Sequence, residues 1–442
     1  MPTTTDRVSD TRLAHAKRDT LALLETILGP PKAWSIAFRL WDGASAGPAD
    51  ALTTLVLVHP WSLRSLLWPP TEVNAGEAYI FGDVDAEGDI EHVFDVMEDL
   101  AELEWRRPAL FAHLGRLLLA LPARPSGRDA VRAADPRGAL HSRQRDRAAV
   151  RYHYDVSNDF YRTWLDAHMQ YSCGYFRDPD DDLDTAQNAK LEHICRKLRL
   201  KRDDRLLDIG CGWGGLLEYA ATRHGVRGLG VTLSEPQAAL ANERLRNAGV
   251  GDRAHVEVRD YREVEGEFDK LVSVGMVEHV GEGRLPEYFG RAMRLLQPGG
   301  VFLNHGITTR WDQRPSPAPK SFVSRYVFPD GELQPVSTVL AAAEQAGFEV
   351  RDVEGLREHY ARTLRHWVAN LEREHDRVVR ATDEVTYRIW RLYMSGSAHN
   401  FDAGRLGVFQ TLLFKPCGGP ACLPPTRADW YSTEPGAASA AH

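Results

Sequence analysis

The segment Arg205-Leu206-Leu207-Asp208-Ile209-Gly210-Cys211-Gly212-Trp213-Gly214-Gly215 constrains the fold of this chain more than any other. A run of buried-strand character enters three glycines at alternate positions, and a helix-forming stretch, 216–224, follows. A strand that turns through GxGxG into a helix lets backbone approach a ligand without side-chain obstruction. Glycine spacing alone leaves a dinucleotide open as the ligand, because Gly215 also completes the six-position dinucleotide fingerprint.

The same alternation continues downstream. Predicted strands cover 228–231, 255–258, 268–274 and 301–304, the last after the turn Pro298-Gly299-Gly300, and helices rich in Ala, Gln and Arg lie between them. This pattern predicts an α/β fold with a doubly wound sheet over 149–416. A chain of 442 residues exceeds one ordinary core, so residues 1–120 are expected to form a smaller N-terminal α+β domain. Between them, 121–148 holds seven Arg and three Asp among Pro, Gly and Ala, the composition of a basic flexible linker. Residues 417–442 read as a disordered Pro/Gly/Ala-rich tail.

Charge and cysteine usage exclude several classes. A net charge of −8 argues against a general nucleic-acid binder. The five cysteines show no metal-ligand spacing and no disulfide framework, which suits a reducing cytoplasm, and no metal is expected. The start of the chain lacks the basic and apolar regions of a signal peptide. The longest apolar stretch, 110–121, is interrupted by His113 and Arg116 and is too short to span a bilayer. Membrane contact is therefore expected to be peripheral, on the inner face of the cell membrane.

Several long segments, in order, make the chain similar to the cyclopropane-fatty-acyl-phospholipid synthase family. They are Tyr-His-Tyr-Asp-Val-Ser-Asn-Asp-Phe (152–160), Met-Gln-Tyr-Ser-Cys (169–173), Leu-Asp-Ile-Gly-Cys-Gly-Trp-Gly-Gly (207–215), Gly-Val-Thr-Leu-Ser (230–234) with Gln237, Asp-Tyr-Arg (260–262), and Ser-Val-Gly-Met-Val-Glu-His-Val-Gly (273–281). Near the N-terminus, 76–83 and 87–90 resemble the family's small lipid-associated domain. The resemblance implies a Rossmann-like class I methyltransferase domain that binds S-adenosyl-L-methionine. It implies that Asp208 and the glycines Gly210, Gly212 and Gly214 hold the methionine and sugar, and that Tyr171 and Ser172 close over the cofactor. Thr232, Leu233, Ser234 and Gln237 would line the ribose and adenine pocket, with Asp260 accepting from the adenine amine. Many methyltransferases carry a carboxylate after the second strand; Thr232 stands there in this chain, as in the lipid-modifying family.

An isolated alkene is a weak nucleophile, so its methyl donor has to be an electrophilic sulfonium. Transfer leaves a carbocation on the acyl chain, and the enzyme has to exclude water and remove a proton. The resemblance implies a bound bicarbonate as base, at the positions of Cys173, Glu278, His305, Ile307 (through its backbone) and Tyr360. Glu278 and His305 lie at or beyond predicted strand ends, where α/β sites collect. A lone buried cysteine is usually core filling, but the preceding Met169-Gln170-Tyr171-Ser172 favours the site for Cys173; Tyr360 is equally compatible with core packing, and His279, Cys195 and Cys211 read as structural. The expected reaction gives a cyclopropane on an unsaturated phospholipid. A methylene or methyl branch is the alternative product, a methyl branch needing a separate reductase. A catalytically silent lipid-binding protein is the alternative of another class. Family members often carry a cysteine where Ser397 stands, so no covalent thiol step is expected. The linker arginines can attract anionic head groups, Trp61, Leu66, Leu67 and Trp68 are expected to pack in the N-terminal core, and a homodimer is compatible with surface docking.

Overall fold

The computed structural model describes residues 4–102, 108–125, 142, 145–146, 152–153, 156–313, 321–420 and 423–431. They form two units. The smaller contains 1–133, 319–327 and 383–399. Its sheet has the order β2-β1-β3-β4, with β1 at Ala37–Arg39, β2 at Ser45–Ala46, β3 at Thr53–Leu57 and β4 at Val84–Gly88. Only β1 and β3 run parallel. In β3 the side chains alternate, with Thr53, Leu55 and Leu57 buried, the period expected of a strand with one covered face.

The sequence boundary at residue 120 misses part of this unit. Residues 383–399, most of the helix Glu384–Asp402, belong to it, and two arginines are among the residues that tie them there. Arg391 is 6% exposed and donates to the Tyr79 hydroxyl at 2.9 Å and the Ala86 carbonyl at 3.0 Å, while Arg388 pairs with Asp85 at 2.9 Å. A buried guanidinium has to be satisfied in this way. Trp68, expected in the core, is 55% exposed. Trp61 is half-buried, stacks on His59 and donates its indole N–H to Asp83.

The larger unit contains 134–318, 328–382 and 400–442. Its strands are β5 (Arg205–Ile209), β6 (Arg227–Thr232), β7 (Ala254–Val258), β8 (Phe268–Val274), β9 (Leu296–Thr309), β10 (Glu349–Gly355) and β11 (Leu406–Phe414). They are ordered β10-β11-β9-β8-β5-β6-β7, and β11 runs antiparallel to both neighbours. Both faces are covered. On β9, Val301 and Leu303 enter one core with the helices Leu183–Leu198 and Gly215–His224, while Phe302 enters the opposite core with Tyr288 and Phe289 of Leu285–Leu295. Such two-sided burial explains the near-continuous apolar runs of these strands. Strand order reverses at β5, which pairs with both β6 and β8; ligands of open α/β sheets bind beyond the carboxyl ends of strands at such a point.

Two expectations about the edges change. Most of the predicted linker, 121–148, lies outside the described residues, but Arg145 is held by Asp330 through two bonds of 2.6 and 2.7 Å and is committed to the protein. The C-terminal stretch is not wholly loose. Trp430 is buried, Asp429 pairs with Arg199 at 2.7 Å, and Arg427 pairs with Asp352 at 2.7 Å. One aromatic anchor between ion pairs overrides a composition that reads as disorder.

Candidate active site

The glycine turn opens a cavity of about 140 Å³ beyond β5. Gly212 has φ 54°, and a Cβ there would meet nothing within 4 Å, so conformation rather than crowding demands glycine. Gly214 has φ 75° and is crowded as well: a Cβ would sit 2.9 Å from Ala241 Cβ. Gly210 and Gly212 line the cavity, whereas Gly214 caps the helix Gly215–His224 behind it. Asp208, also lining the cavity, is buried, and burial raises its carboxyl to about 7 against the opposing charge of Lys190.

The loop that supplies Tyr171 and Ser172 is fixed from below. Met169 takes φ 55°, a left-handed conformation rare for its residue type. Asp166 holds the bend by accepting from the amides of His168 at 2.8 Å and Gln170 at 2.7 Å. Lys190, fully buried, donates to Gln170 Oε1 at 2.6 Å and Ser172 Oγ at 2.9 Å, and Gln187 donates to the Ser172 carbonyl at 2.9 Å. The Tyr171 ring lies among Trp367, Trp164 and Tyr161 at centroid distances of 5.2, 5.5 and 5.8 Å.

On the opposite wall, Thr232 donates to Gln237 Oε1 at 2.7 Å and accepts from the Ser234 amide at 3.2 Å. The Gln237 NH2 is therefore the end left for a ligand. Leu233 lines the cavity, and Ser234 caps the helix Glu235–Asn247. Asp260, at the end of β7, is gripped by Arg262 through bonds of 2.8 and 2.6 Å, and Arg262 also reaches Asp146 at 3.0 Å.

The proposed catalytic residues fall into two groups, and none lines the cavity. In the first, the Ile307 amide of β9 donates to Glu278 Oε1 at 2.7 Å. Gly306 makes this approach possible, since a Cβ there would strike Val277. Glu278 Oε2 is buried without a hydrogen-bond partner, and burial raises the carboxyl to about 7. His305 Nδ1 faces Gln410 Nε2 at 3.3 Å, and its Nε2 is buried without a partner. Burial lowers the imidazole to about 3, so it is neutral, and with Nδ1 accepting from Gln410 the proton sits on Nε2.

The second group surrounds Leu356. Cys173 Sγ lies 3.7 Å from the Leu356 carbonyl, the same carbonyl that accepts from the Tyr360 amide at 3.1 Å. Burial raises the Cys173 thiol, which opposes a thiolate. Tyr360 is buried with its ring 4.7 Å from Phe401 and 6.0 Å from Trp367. Ser397 belongs to the smaller unit.

Sequence reasoning missed Lys190, Gln170, Gln187, Arg262 and His279. His279 was assigned to packing, yet it lines the cavity with Met276. Lys190 carried a signal: it falls in the apolar register Leu183, Ala186, Gln187, Lys190, Leu191, Ile194, and a charge on the buried stripe of a helix needs a reason. Among the described residues no cluster of His, Cys, Asp and Glu could hold a metal.

Parallel strands around β5, one antiparallel strand on the far side, and a glycine turn where strand order reverses make this a Rossmann-like class I methyltransferase fold. The family model described as mycolic acid cyclopropane synthetase matches residues 141–411. The chain belongs to that family of S-adenosylmethionine-dependent lipid methyltransferases. A probable fatty acid methyltransferase of Pseudomonas putida is 41% identical over 403 residues, 90% of this chain and 96% of the relative. The cyclopropane-fatty-acyl-phospholipid synthase of Escherichia coli K12 is 36% identical over 274 residues, 62% of this chain and 69% of the relative. Among solved structures, mycolic acid cyclopropane synthase CmaA1 complexed with SAH and CTAB aligns at 34% identity with a TM-score of 0.58, covering 61% of this chain and 98% of that one.

Proposed function

We propose that the chain transfers a one-carbon unit from S-adenosylmethionine to the cis double bond of an unsaturated phospholipid acyl chain and closes a cyclopropane ring. The observation that carries this reading is the pair of orphaned buried atoms, Glu278 Oε2 and His305 Nε2. Glu278 sits on the turn that also supplies Met276 and His279 to the cofactor cavity.

S-adenosylmethionine supplies an electrophilic methyl group. The π electrons of the double bond form the new carbon–carbon bond, and the bond to sulfur breaks with its electrons staying on sulfur. Positive charge is left on the neighbouring chain carbon. Loss of a proton from the new methyl group returns the electrons that close the ring. The protein has to keep water from the cation and hold a place for the proton. A bicarbonate ion fits the residues present: His305 Nε2–H would donate to it, and the Glu278 carboxyl, about half protonated near neutrality, would share a proton with it. Bound there, it would supply an oxyanion base. Ile307 contributes by orienting Glu278, since its amide is already used. Cys173 and Tyr360 enter this reading through the family resemblance alone.

The phospholipid acceptor is supported by the name of the Escherichia coli relative. The reading puts the enzyme peripherally on the inner face of the membrane; among the described residues no helix is long and apolar enough to cross one. A methyl- or methylene-branched product from the same cation is the second reading, favoured by the name of the Pseudomonas putida relative and by Ser397. The test is mass spectrometry after incubating the protein with oleoyl phospholipid vesicles and methyl-deuterated S-adenosylmethionine. A gain of CD2, with a product resistant to ozonolysis, supports the ring; a CD2 product cleaved by ozone is a methylene branch. A gain of CD3 means that the proton left from the chain. No gain with cofactor binding intact overturns the phospholipid acceptor.

A further inference from the structure

Lys190 lies buried behind the wall of the cofactor site. It lies on the helix Leu183–Leu198 with 0% of its surface exposed. Removing an ammonium from water costs several kcal/mol unless partners replace the water. Here the replacements are side chains of the cofactor loop, Gln170 Oε1 at 2.6 Å and Ser172 Oγ at 2.9 Å, and both residues line the cavity. One helical turn earlier, Gln187 holds the Ser172 carbonyl at 2.9 Å. One helix face therefore fixes the loop by both backbone and side chain.

The bonding has a chemical consequence. A hydroxyl that accepts from an ammonium has its own O–H left to donate. Ser172 therefore has its O–H available to donate to a ligand. Lys190 is also the counter-charge felt by the buried carboxylate Asp208 across the glycine turn, and it feels Asp166 from the base of the loop.

We propose that Lys190 is a positioning residue for cofactor binding: it sets Ser172 and Gln170 against the cavity and balances the charge of Asp208. The proposal rests on the methyltransferase reading of the site. It does not depend on which lipid is the acceptor. Burial lowers the Lys190 ammonium to about 8, with Asp166, Cys173, His305 and Asp208 around it, and raises Asp208 to about 7, so the two charges coexist in a window bounded by these two titrations. Below the window Asp208 gains a proton, and above it Lys190 loses one. Cofactor affinity should therefore fall on both sides.

The test is calorimetric titration of the full-length protein with S-adenosylmethionine from pH 6 to 9.5, for the wild type, Lys190→Met and Lys190→Arg. Lys190→Met should raise Kd at pH 7.5 about tenfold and move the acid limb to higher pH by more than half a unit, because Asp208 loses its counter-charge. At saturating cofactor, kcat should change far less than KM for the cofactor. Lys190→Arg should restore the acid limb and abolish the part of the alkaline limb that belongs to lysine. Titration of the cofactor's own amine is common to all three proteins and cancels in the comparison. A folded Lys190→Met with unchanged Kd and an unmoved acid limb overturns the proposal. If that variant does not fold, an alkaline limb identical in wild type and Lys190→Arg does so. Failure of the wild type to bind the cofactor would instead overturn the methyltransferase reading.

Discussion

Around the cofactor cavity three polar sets are tied together, Thr232 to Gln237, Arg262 to Asp260, and Lys190 to Ser172 and Gln170, while Asp208, raised by burial as Glu278 is, stands outside them. At the ends of β8 and β9 the pattern inverts, and Glu278 Oε2 and His305 Nε2 are buried with no hydrogen-bond partner. A satisfied polar network adds rigidity, whereas each unmade buried bond costs about 1–3 kcal/mol. The first region is thus preorganised for a large ligand that finds its donors and acceptors already aimed. The second holds polarity at the expense of stability, which suits a small polar species or a proton in transit. Substitution in the tied region should change affinity; substitution in the untied region should change rate.

The largest effect should come from His305→Ala. With its neutral imidazole donor removed, turnover on oleoyl phospholipid should fall about 10²–10³-fold, in the range for loss of a preorganised hydrogen-bond donor. The dissociation constant for S-adenosylmethionine, measured by calorimetry, should stay within about twofold. A loss of affinity as large as the loss of rate would collapse the two regions into one.

Glu278→Gln should separate the regions by stability. The Glu278 carboxyl rises from its ordinary 4.5 to about 7 on burial. The native state therefore holds the proton more tightly than the unfolded chain, and stability is lost as pH rises through that interval. At roughly 1.4 kcal/mol per pH unit, wild type should lose about 2–3 kcal/mol from this group between pH 5 and pH 8, and the glutamine variant none of it. Denaturant melts at the two pH values measure the difference of differences. Equal pH dependence in the two proteins would mean that Glu278 is not buried as an uncompensated carboxyl. Activity should fall even though the variant is relatively more stable at pH 8.

How much of this was legible in the sequence depends on how local each feature is. The strand–glycine–helix unit at 205–224 depends on neighbours in sequence, and the structure places β5 and the helix Gly215–His224 there. Thr232, Gln237 and Asp260 were named through the family resemblance rather than from local pattern; the structure places Thr232 at the end of β6, Gln237 in the helix after it and Asp260 just beyond β7. Lys190 showed only as a charge on an apolar stripe; its partners lie 20 and 18 residues away, so nothing local says what it holds. Arg388 and Arg391 reach residues more than 300 positions away, so the return of 383–399 to the smaller unit leaves no local trace. Gly214 teaches a different lesson: its spacing marked it for the ligand, but Ala241 crowds it. Gly214→Ala should lower stability by about 1–3 kcal/mol through its left-handed backbone, with cofactor affinity falling through the displaced turn; thermal melts with and without cofactor check both.

The smallest effect tests the tied region at its rim. Arg262 is held by two carboxylates, Asp260 at 2.6 Å and Asp146 at 3.0 Å, and its planar fork makes two bonds to Asp260 at once. Lysine keeps the charge but loses the fork, so Arg262→Lys leaves Asp260 neutralised and still held by the residue 262 backbone amide, but without the two-point grip of the guanidinium. If Asp260 needs only a counter-charge, cofactor affinity should be unchanged. If orientation matters, as the tied pattern implies, Kd should rise about three- to tenfold with kcat at saturating cofactor unaltered. A change confined to kcat would reverse the assignment, making this wall part of the reacting region and leaving Glu278 and His305 without their contrast.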